Sequence, residues 1–304
     1  MKIIKVFCLI LFASSVCQLT LAHNLEGENC KLTVQVLGSG GPELSNNRAS
    51  SSYLLWRNDK AIILIDSGGG SALRFGQSKA KWQDLQAVLF SHFHADHSSD
   101  FPALLKASWF GSRTDNLAVY GPAGNSVMPS THDFLDSLFL SKTGAYHYLS
   151  DMYDDTNSSE YKIRPHTLAS SDKSQLFFDK NGVKIYSQEV EHGPIPALAY
   201  VVKTCGKVFV FSGDTNSKGL DKLRLKTTDI FIAHHAIPEN AGNVAKSLHM
   251  TPSQIGKIAS RINTKTLVLS HWMNRSLGHE DESLKLIKKH FKGTIKLAQD
   301  LDIF

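Results

Sequence analysis

The sequence has 304 residues, 42% of them apolar and 20% charged, with a formal charge of +5 at pH 7. That is the balance of a soluble globular protein, long enough to bury a large core in one or two domains. The charge is too mild to argue for nucleic-acid binding by itself.

Residues 1–22 stand apart from the core. Lys2 and Lys5 precede an apolar run over 6–13, and small residues with Ala22 close the segment. A positive start, an apolar centre shorter than a membrane span and a small-residue end describe a secretory signal peptide. A membrane anchor is the competing reading. A lipoprotein signal is disfavoured because Val16 precedes Cys17, where a small residue is expected. Cleavage near Ala22 sends the mature protein to the periplasm or outside the cell, with no stable membrane association. It also removes Cys8 and Cys17 and leaves Cys30 and Cys205. In an exported chain that pair is either a disulfide, tying residue 30 to the turn at Cys205-Gly206, or two free thiols. Neither lies in a Cys-x-x-Cys pair, so metal chemistry falls to histidine and carboxylate.

From residue 31 to 304 the chain reads as one domain without repeats or long linkers. Short apolar runs rich in β-branched and aromatic residues recur at 32–37, 52–56, 61–65, 87–90, 117–120, 183–186, 197–202, 208–211, 230–233 and 267–269. Each is strand length and bounded by turn residues. Phe101, Leu104, Leu105 and Trp109 follow a helical stripe, with Asp100 placed to cap it and Pro102 in the first turn. Residues 251–262 and 283–291 are the other clear helices, the first opened by Thr251-Pro252. Strands and helices mixed without strict alternation predict an α+β fold, with sheets and helices packed outside them. Residues 130–174 are polar and irregular apart from 134–140, and are read as a lid or insertion beside the site.

Several strands end on a potential ligand. The run 87–90 leads into Ser91-His92-Phe93-His94-Ala95-Asp96-His97, and 208–211 into Ser212-Gly213-Asp214-Thr215. The run 267–269 leads into Ser270-His271, and the strand through Tyr186 and Val190 into Glu191-His192-Gly193. Rigid strand ends can converge on one cleft, as metal coordination requires. Imidazole and carboxylate are ligands that zinc accepts. Three imidazoles and a carboxylate clustered in a core would be poorly satisfied without a cation.

The string His92-Phe93-His94-Ala95-Asp96-His97 resembles the hallmark motif of the metallo-β-lactamase superfamily, and His192, Asp214 and His271 follow in the order that superfamily uses. The resemblance covers most of the chain from about Lys31. It implies an αββα sandwich with two Zn2+ ions at one edge, although manganese or iron is also compatible. By the same resemblance His92, His94 and His192 hold one ion, Asp96, His97 and His271 the other, and Asp214 bridges both. Within the superfamily the sequence is most similar to the ribonuclease Z-like branch. Leu37-Gly38-Ser39-Gly40-Gly41-Pro42, Arg48 with Ser50-Ser51, Asp66-Ser67-Gly68-Gly69-Gly70 and Tyr120-Gly121-Pro122 look like that branch's elements. His249-Met250-Thr251 resembles its His-Ser-Thr element, and Ser270-His271-Trp272-Met273-Asn274-Arg275 its closing His-plus-Arg motif.

Two departures argue against tRNA as substrate. His234-His235-Ala236 stands where the tRNA-processing enzymes carry a Glu-rich motif, and no basic, glycine-rich arm is evident. What the resemblance implies is an exported hydrolase, first a phosphodiesterase. Asp96 would orient the nucleophile while ligating metal, and His249 would donate a proton to the leaving group or steady its charge. Arg275 would bind an anionic group of a small-molecule or phosphodiester substrate, or else form a salt bridge. Asp66 reads as a partner of a histidine ligand. His234 and His235 read as structural histidines, with contact to the site as the other reading. Lactonase or thioesterase activity, and a non-catalytic zinc-binding protein, are the competing functions; a homodimer is compatible with any of them. A true β-lactamase is disfavoured by Asp214, a bridging carboxylate such enzymes lack.

Overall fold

Alternating side chains set the faces of the strands. In β3 (Lys60–Ile65), Ile63 and Ile65 point one way and Leu64 the other, and all three are buried. Both faces of that sheet are therefore covered. The computed structural model describes residues 30–155, 158–171 and 173–304, and the segment read as a signal peptide lies outside them.

The first sheet has six strands in chain order: β1 (Leu32–Gly38), β2 (Ser52–Arg57), β3, β4 (Ala87–Leu89), β5 (Leu117–Pro122) and β6 (Ile163–Leu168). Strands β1 to β3 are antiparallel, and β3 to β6 run parallel. The second sheet repeats that plan with seven: β7 (Gln175–Lys180), β8 (Val183–His192), β9 (Ile195–Thr204), β10 (Lys207–Phe211), β11 (Thr228–His234), β12 (Thr264–Ser270) and β13 (Thr294–Leu297). Here β7 to β10 are antiparallel and β10 to β13 parallel.

Helices α1 (Ser71–Gln77), α3 (Phe101–Ser108) and α4 (Thr131–Phe139) lie on the outer side of the first sheet, and α6 (Pro252–Arg261) and α7 (Glu280–His290) on that of the second, while the short helices α2 (Ala95–Ser98) and α5 (Asn243–Leu248) lie in the connections. Val34, Tyr53, Ile63, Leu89, Ile185, Tyr200, Phe211 and Val268 fill the space between the sheets. Leu64, Val88, Phe101, Leu105 and Phe139 pack outside one sheet, and Val210, Phe231, Ile255, Ile258 and Ile287 outside the other. These three apolar layers make the expected αββα sandwich. Among the described residues no helix is long and apolar enough to cross a membrane.

Two ties hold the ends of the domain. Cys30 and Cys205 form a disulfide, with Cα atoms 6.1 Å apart and a sequence separation of 175, so the disulfide reading of that pair is the one the fold adopts. The outer edge of β1 pairs with residues 301–304: Val34 N–H donates to Phe304 O at 2.9 Å, and Val36 N–H to Asp302 O at 2.9 Å. An edge covered in this way is not free to template a foreign strand.

Parts of the sequence reading are corrected. Residues 130–174 are no lid: α4 and β6 belong to this segment, and Leu135, Phe139, Leu149, Met152, Tyr161 and Ile163 are buried in the core. The polar composition misleads because β6, at the sheet edge, buries only its ends, Ile163 and Leu168, and exposes His166 and Thr167 between them. Strands β6, β7 and β13 and helices α1 and α5 are additions for the same reason: they are short, or they have one wet face. Asp100 does not cap α3 with its side chain; Asp100 Oδ2 instead accepts from Ala72 N–H at 2.9 Å. Trp109 lies past the end of that helix and is 46% exposed. Thr251 does open α6, and its own N–H donates to Gln254 Oε1 at 2.8 Å.

Candidate metal centre

Strands β4, β8, β10, β11 and β12 all finish at one edge of the sandwich, and the residues that follow or close them meet there. The loop after β4 is held from beneath. Tyr200 Oη donates to Phe90 O at 2.6 Å across the sandwich, and Ser91 N–H and Oγ–H donate to Asp66 at 2.7 and 2.8 Å. His92 and His94 then project two residues apart from extended chain, and α2 turns Asp96 and His97 into the same space. Gly68 makes room for this turn: a Cβ there would lie 2.1 Å from Asp96 O.

Two groups of donors face each other across Asp214. The candidate ligand atoms of His92, His94 and His192 lie within 4.8 Å of one another. On the other side His271 Nε2 is 3.3 Å from Asp96 Oδ2, and His97 Nε2 is 3.5 Å from that same oxygen. Asp214 reaches into both groups: Oδ2 lies 3.7 Å from His192 Nε2 and 3.8 Å from His97 Nε2, and Oδ1 lies 3.2 Å from His271 Nε2. All seven residues singled out in the sequence as ligands thus converge, and all but His94 are buried.

The outer nitrogens of several rings are fixed by the polypeptide. His97 Nδ1 meets Asp66 Oδ2 at 2.8 Å, His192 Nδ1 meets Leu248 O at 3.0 Å, and His92 Nδ1 meets Ser91 Oγ at 3.1 Å. The inward Nε2 atoms of His92, His97 and His271 have no hydrogen-bond partner although they are buried. A buried imidazole nitrogen without a partner is costly. Nε2 donors turned inward, held by hydrogen bonds at Nδ1, are the arrangement of metal-binding histidines. The donor set therefore fits a bound metal.

The electrostatics agree. Burial and the neighbouring imidazoles hold His92 well below the ordinary histidine pKa. Burial opposes the charge on His271, but Asp214 and Asp96 outweigh it and push that pKa up to about 10. Burial would raise the Asp214 pKa too, yet the surrounding histidines, His271 foremost, hold it well below the carboxylate range. The carboxylates are ionised and call for positive charge.

His249 sits on this cluster, with Nδ1 3.9 Å from Asp214 Oδ2, and burial pushes its pKa down to about 3. Arg275 is exposed; its Nε donates to Ala236 O at 3.0 Å, and its charge bears on His249. It is therefore near the cluster without touching a carboxylate. Asp66 is where the sequence reading put it, behind His97. His235 is the expected structural histidine, with Nε2 2.9 Å from Ser283 Oγ. His234 is not: its Nδ1 lies 2.6 Å from Asp214 Oδ1. The signal was available, because His234 closes an apolar run just as His192 and His271 follow theirs. Tyr53, whose hydroxyl is 3.0 Å from His234 Nε2, carried none.

Residues 62–272 match the family model described as the beta-lactamase superfamily domain. Ribonuclease Z from Methanosarcina acetivorans is 24% identical, over 89% of this chain and 96% of its own length. Among solved structures, the metallo-beta-lactamase fold protein YhfI from Bacillus subtilis superposes with a TM-score of 0.67 at 21% identity, covering 90% of this chain and 99% of its own. The short form of human tRNase Z gives the same score and identity, covering 90% and 98%.

Proposed function

Because this chain belongs to the metallo-β-lactamase superfamily, on its ribonuclease Z-like side, and is a metal-dependent hydrolase, we propose that it is an exported binuclear zinc phosphodiesterase. The observation that carries the reading is the pair of donor groups on either side of Asp214, with inward imidazole nitrogens that the polypeptide leaves unpaired. In this reading His92, His94 and His192 would hold one Zn2+, Asp96, His97 and His271 the other, and Asp214 would be shared between them. When bound, such a pair supplies activated water near neutral pH and positive charge for the attacked group and the leaving oxygen.

The side chains do the rest. Asp96 orients the nucleophile from the turn of α2. His249 stands outside the ligand set; burial leaves its ring neutral near pH 7, so it is placed to steady the charge on the leaving oxygen with a hydrogen bond. Arg275 offers a guanidinium at the rim for an anionic group of the substrate. The substrate is a phosphodiester, as the names of the ribonuclease Z relatives suggest, and tRNA is disfavoured by export. Export itself is supported by the Cys30–Cys205 disulfide, which persists in oxidising compartments, and by the pattern of residues 1–22.

The test is hydrolysis of bis(p-nitrophenyl) phosphate by the zinc-loaded protein, beside Asp214→Ala and a lactone substrate. Zinc-dependent diester turnover that vanishes in the variant is the expected result. Brisk lactone cleavage with no diester turnover would move the function to carboxylic ester chemistry; no turnover of either substrate would favour a zinc-binding protein.

A further inference from the structure

Asp214 is the side chain on which both halves of the centre depend, so what fixes its two oxygens matters. They are in different surroundings. Oδ2 faces His97, His192 and His249 at 3.7–3.9 Å. Oδ1 has His271 Nε2 at 3.2 Å and His234 Nδ1 at 2.6 Å. The terminal torsion of an aspartate is soft and two-fold, so a carboxylate does not hold such a division by itself.

His234 is the last residue of β11, 2% exposed, and its backbone N–H donates to Ser212 Oγ at 3.1 Å. A carboxylate only accepts, so the short contact to Oδ1 puts a proton on His234 Nδ1. The opposite nitrogen, Nε2, is 3.0 Å from Tyr53 Oη, and that hydroxyl is 2.9 Å from Ser270 Oγ. Tyr53 comes from β2 of the facing sheet and is buried. Both nitrogens of His234 are thereby occupied. The ring lies among the ligand atoms of His97, Asp214 and His271, but it has no nitrogen left to offer a metal. His97 and His271 differ from it in this, since their Nε2 atoms have no partner.

We infer that His234, backed by Tyr53, is a positioning residue for Asp214: it ties down Oδ1 and leaves Oδ2 turned toward both groups of donors. The inference rests on the metal-centre reading above. Its consequence is that metal affinity depends on a side chain that touches no metal. Removal of such a supporting partner costs about 10–100-fold in affinity.

Asparagine and glutamine separate this role from the others. The amide nitrogen of Asn occupies the position of Nδ1 and can still donate to Asp214; that of Gln reaches the position of Nε2 and cannot. Zinc affinity and stoichiometry of the full protein would be measured by competition with a chromophoric chelator, and the absorption spectrum recorded with Co2+ in place of zinc. Wild type is expected to bind two ions, His234→Ala and His234→Gln to bind them about 10–100-fold more weakly with an altered cobalt spectrum, and His234→Asn to recover most of both. Circular dichroism of the metal-free proteins checks the fold, and the Asn–Gln pair carries the test if the alanine variant fails to fold.

Wild-type affinity and spectrum in both His234→Ala and His234→Gln would overturn the inference. So would an Asn variant as weak as the Gln variant, which would make the ring itself a ligand. A wild-type protein that binds no metal would instead remove the metal-centre reading, and this inference with it.

Discussion

Asp66 Oδ2 lies 2.8 Å from His97 Nδ1, and Asp66 makes that contact from a left-handed backbone, φ 55°. Asparagine and aspartate tolerate this conformation better than other non-glycine residues. Asp66→Asn therefore keeps the backbone while changing the chemistry. Ser91 N–H, Ser91 Oγ–H and His97 Nδ1 all converge on the carboxylate, and an amide must turn a donor toward one of them. Turned to His97, it favours the tautomer with the proton on the inward Nε2. The expected outcome is a folded protein whose zinc affinity is about 10–100-fold lower. Unchanged affinity in a chelator competition would mean that Asp66 only supports the loop.

Gly68 and Gly76 make a matched pair. A Cβ at Gly68 would press on Asp96 O at 2.1 Å and on Ser50 Cβ at 2.7 Å, whereas one at Gly76 meets nothing within 4 Å. Gly68→Ala is expected to destabilise by about 1–3 kcal/mol and to weaken metal binding by displacing Asp96. Gly76→Ala, within α1, is expected to be neutral or to stabilise by up to about 1 kcal/mol. Urea unfolding of the two variants side by side decides it, and equal midpoints would refute the close approach.

The disulfide closes a long loop, so replacing both Cys30 and Cys205 by serine should cost about 2–5 kcal/mol. The candidate metal ligands lie on other elements, so the folded variant should bind metal with the same stoichiometry as the unmodified protein. A urea midpoint that dithiothreitol does not lower would show that the bond adds nothing.

Asp229 supplies a pH dependence away from the metal centre. It opposes its own burial by accepting from Val208 N–H at 2.9 Å and pairing with Lys265 at 2.8 Å and Lys207 at 3.4 Å, and its pKa falls below the ordinary carboxylate value. A depressed carboxylate stabilises the fold above its unfolded pKa, and this contribution is lost as pH falls through the folded one. Asp229→Asn should thus lower the melting temperature by about 2 °C near neutrality. The deficit should shrink as the pH falls below the ordinary carboxylate range; a deficit independent of pH would assign the effect to packing.

Four of the candidate ligands were legible because each follows an apolar run, a pattern that strands impose on sequence: His92, His192, Asp214 and His271 all share it. His234 shares it too, but the adjacent His235, satisfied by Ser283, made the pair look structural. Tyr53 was hidden for a different reason. Its neighbours in sequence are core residues of β2, and its relation to His234 spans 181 residues and two sheets. The layers followed from the apolar alternation, while β6 and β7 did not, since edge strands carry polar residues on the faces that water reaches.

The pairing of β1 with residues 301–304 has a consequence for biosynthesis. Gln35 Nε2 donates to Leu301 O across a separation of 266 residues, so β1, the first strand of the described residues, is completed by a segment made almost an entire domain later. Until then β1 presents an uncovered edge with Val34, Val36 and Leu37, the kind of surface that holding chaperones shield and that aggregates when left alone. The domain is in this sense assembled from its two ends, and its yield on expression should depend on how well the nascent chain is kept apart from its neighbours during that interval.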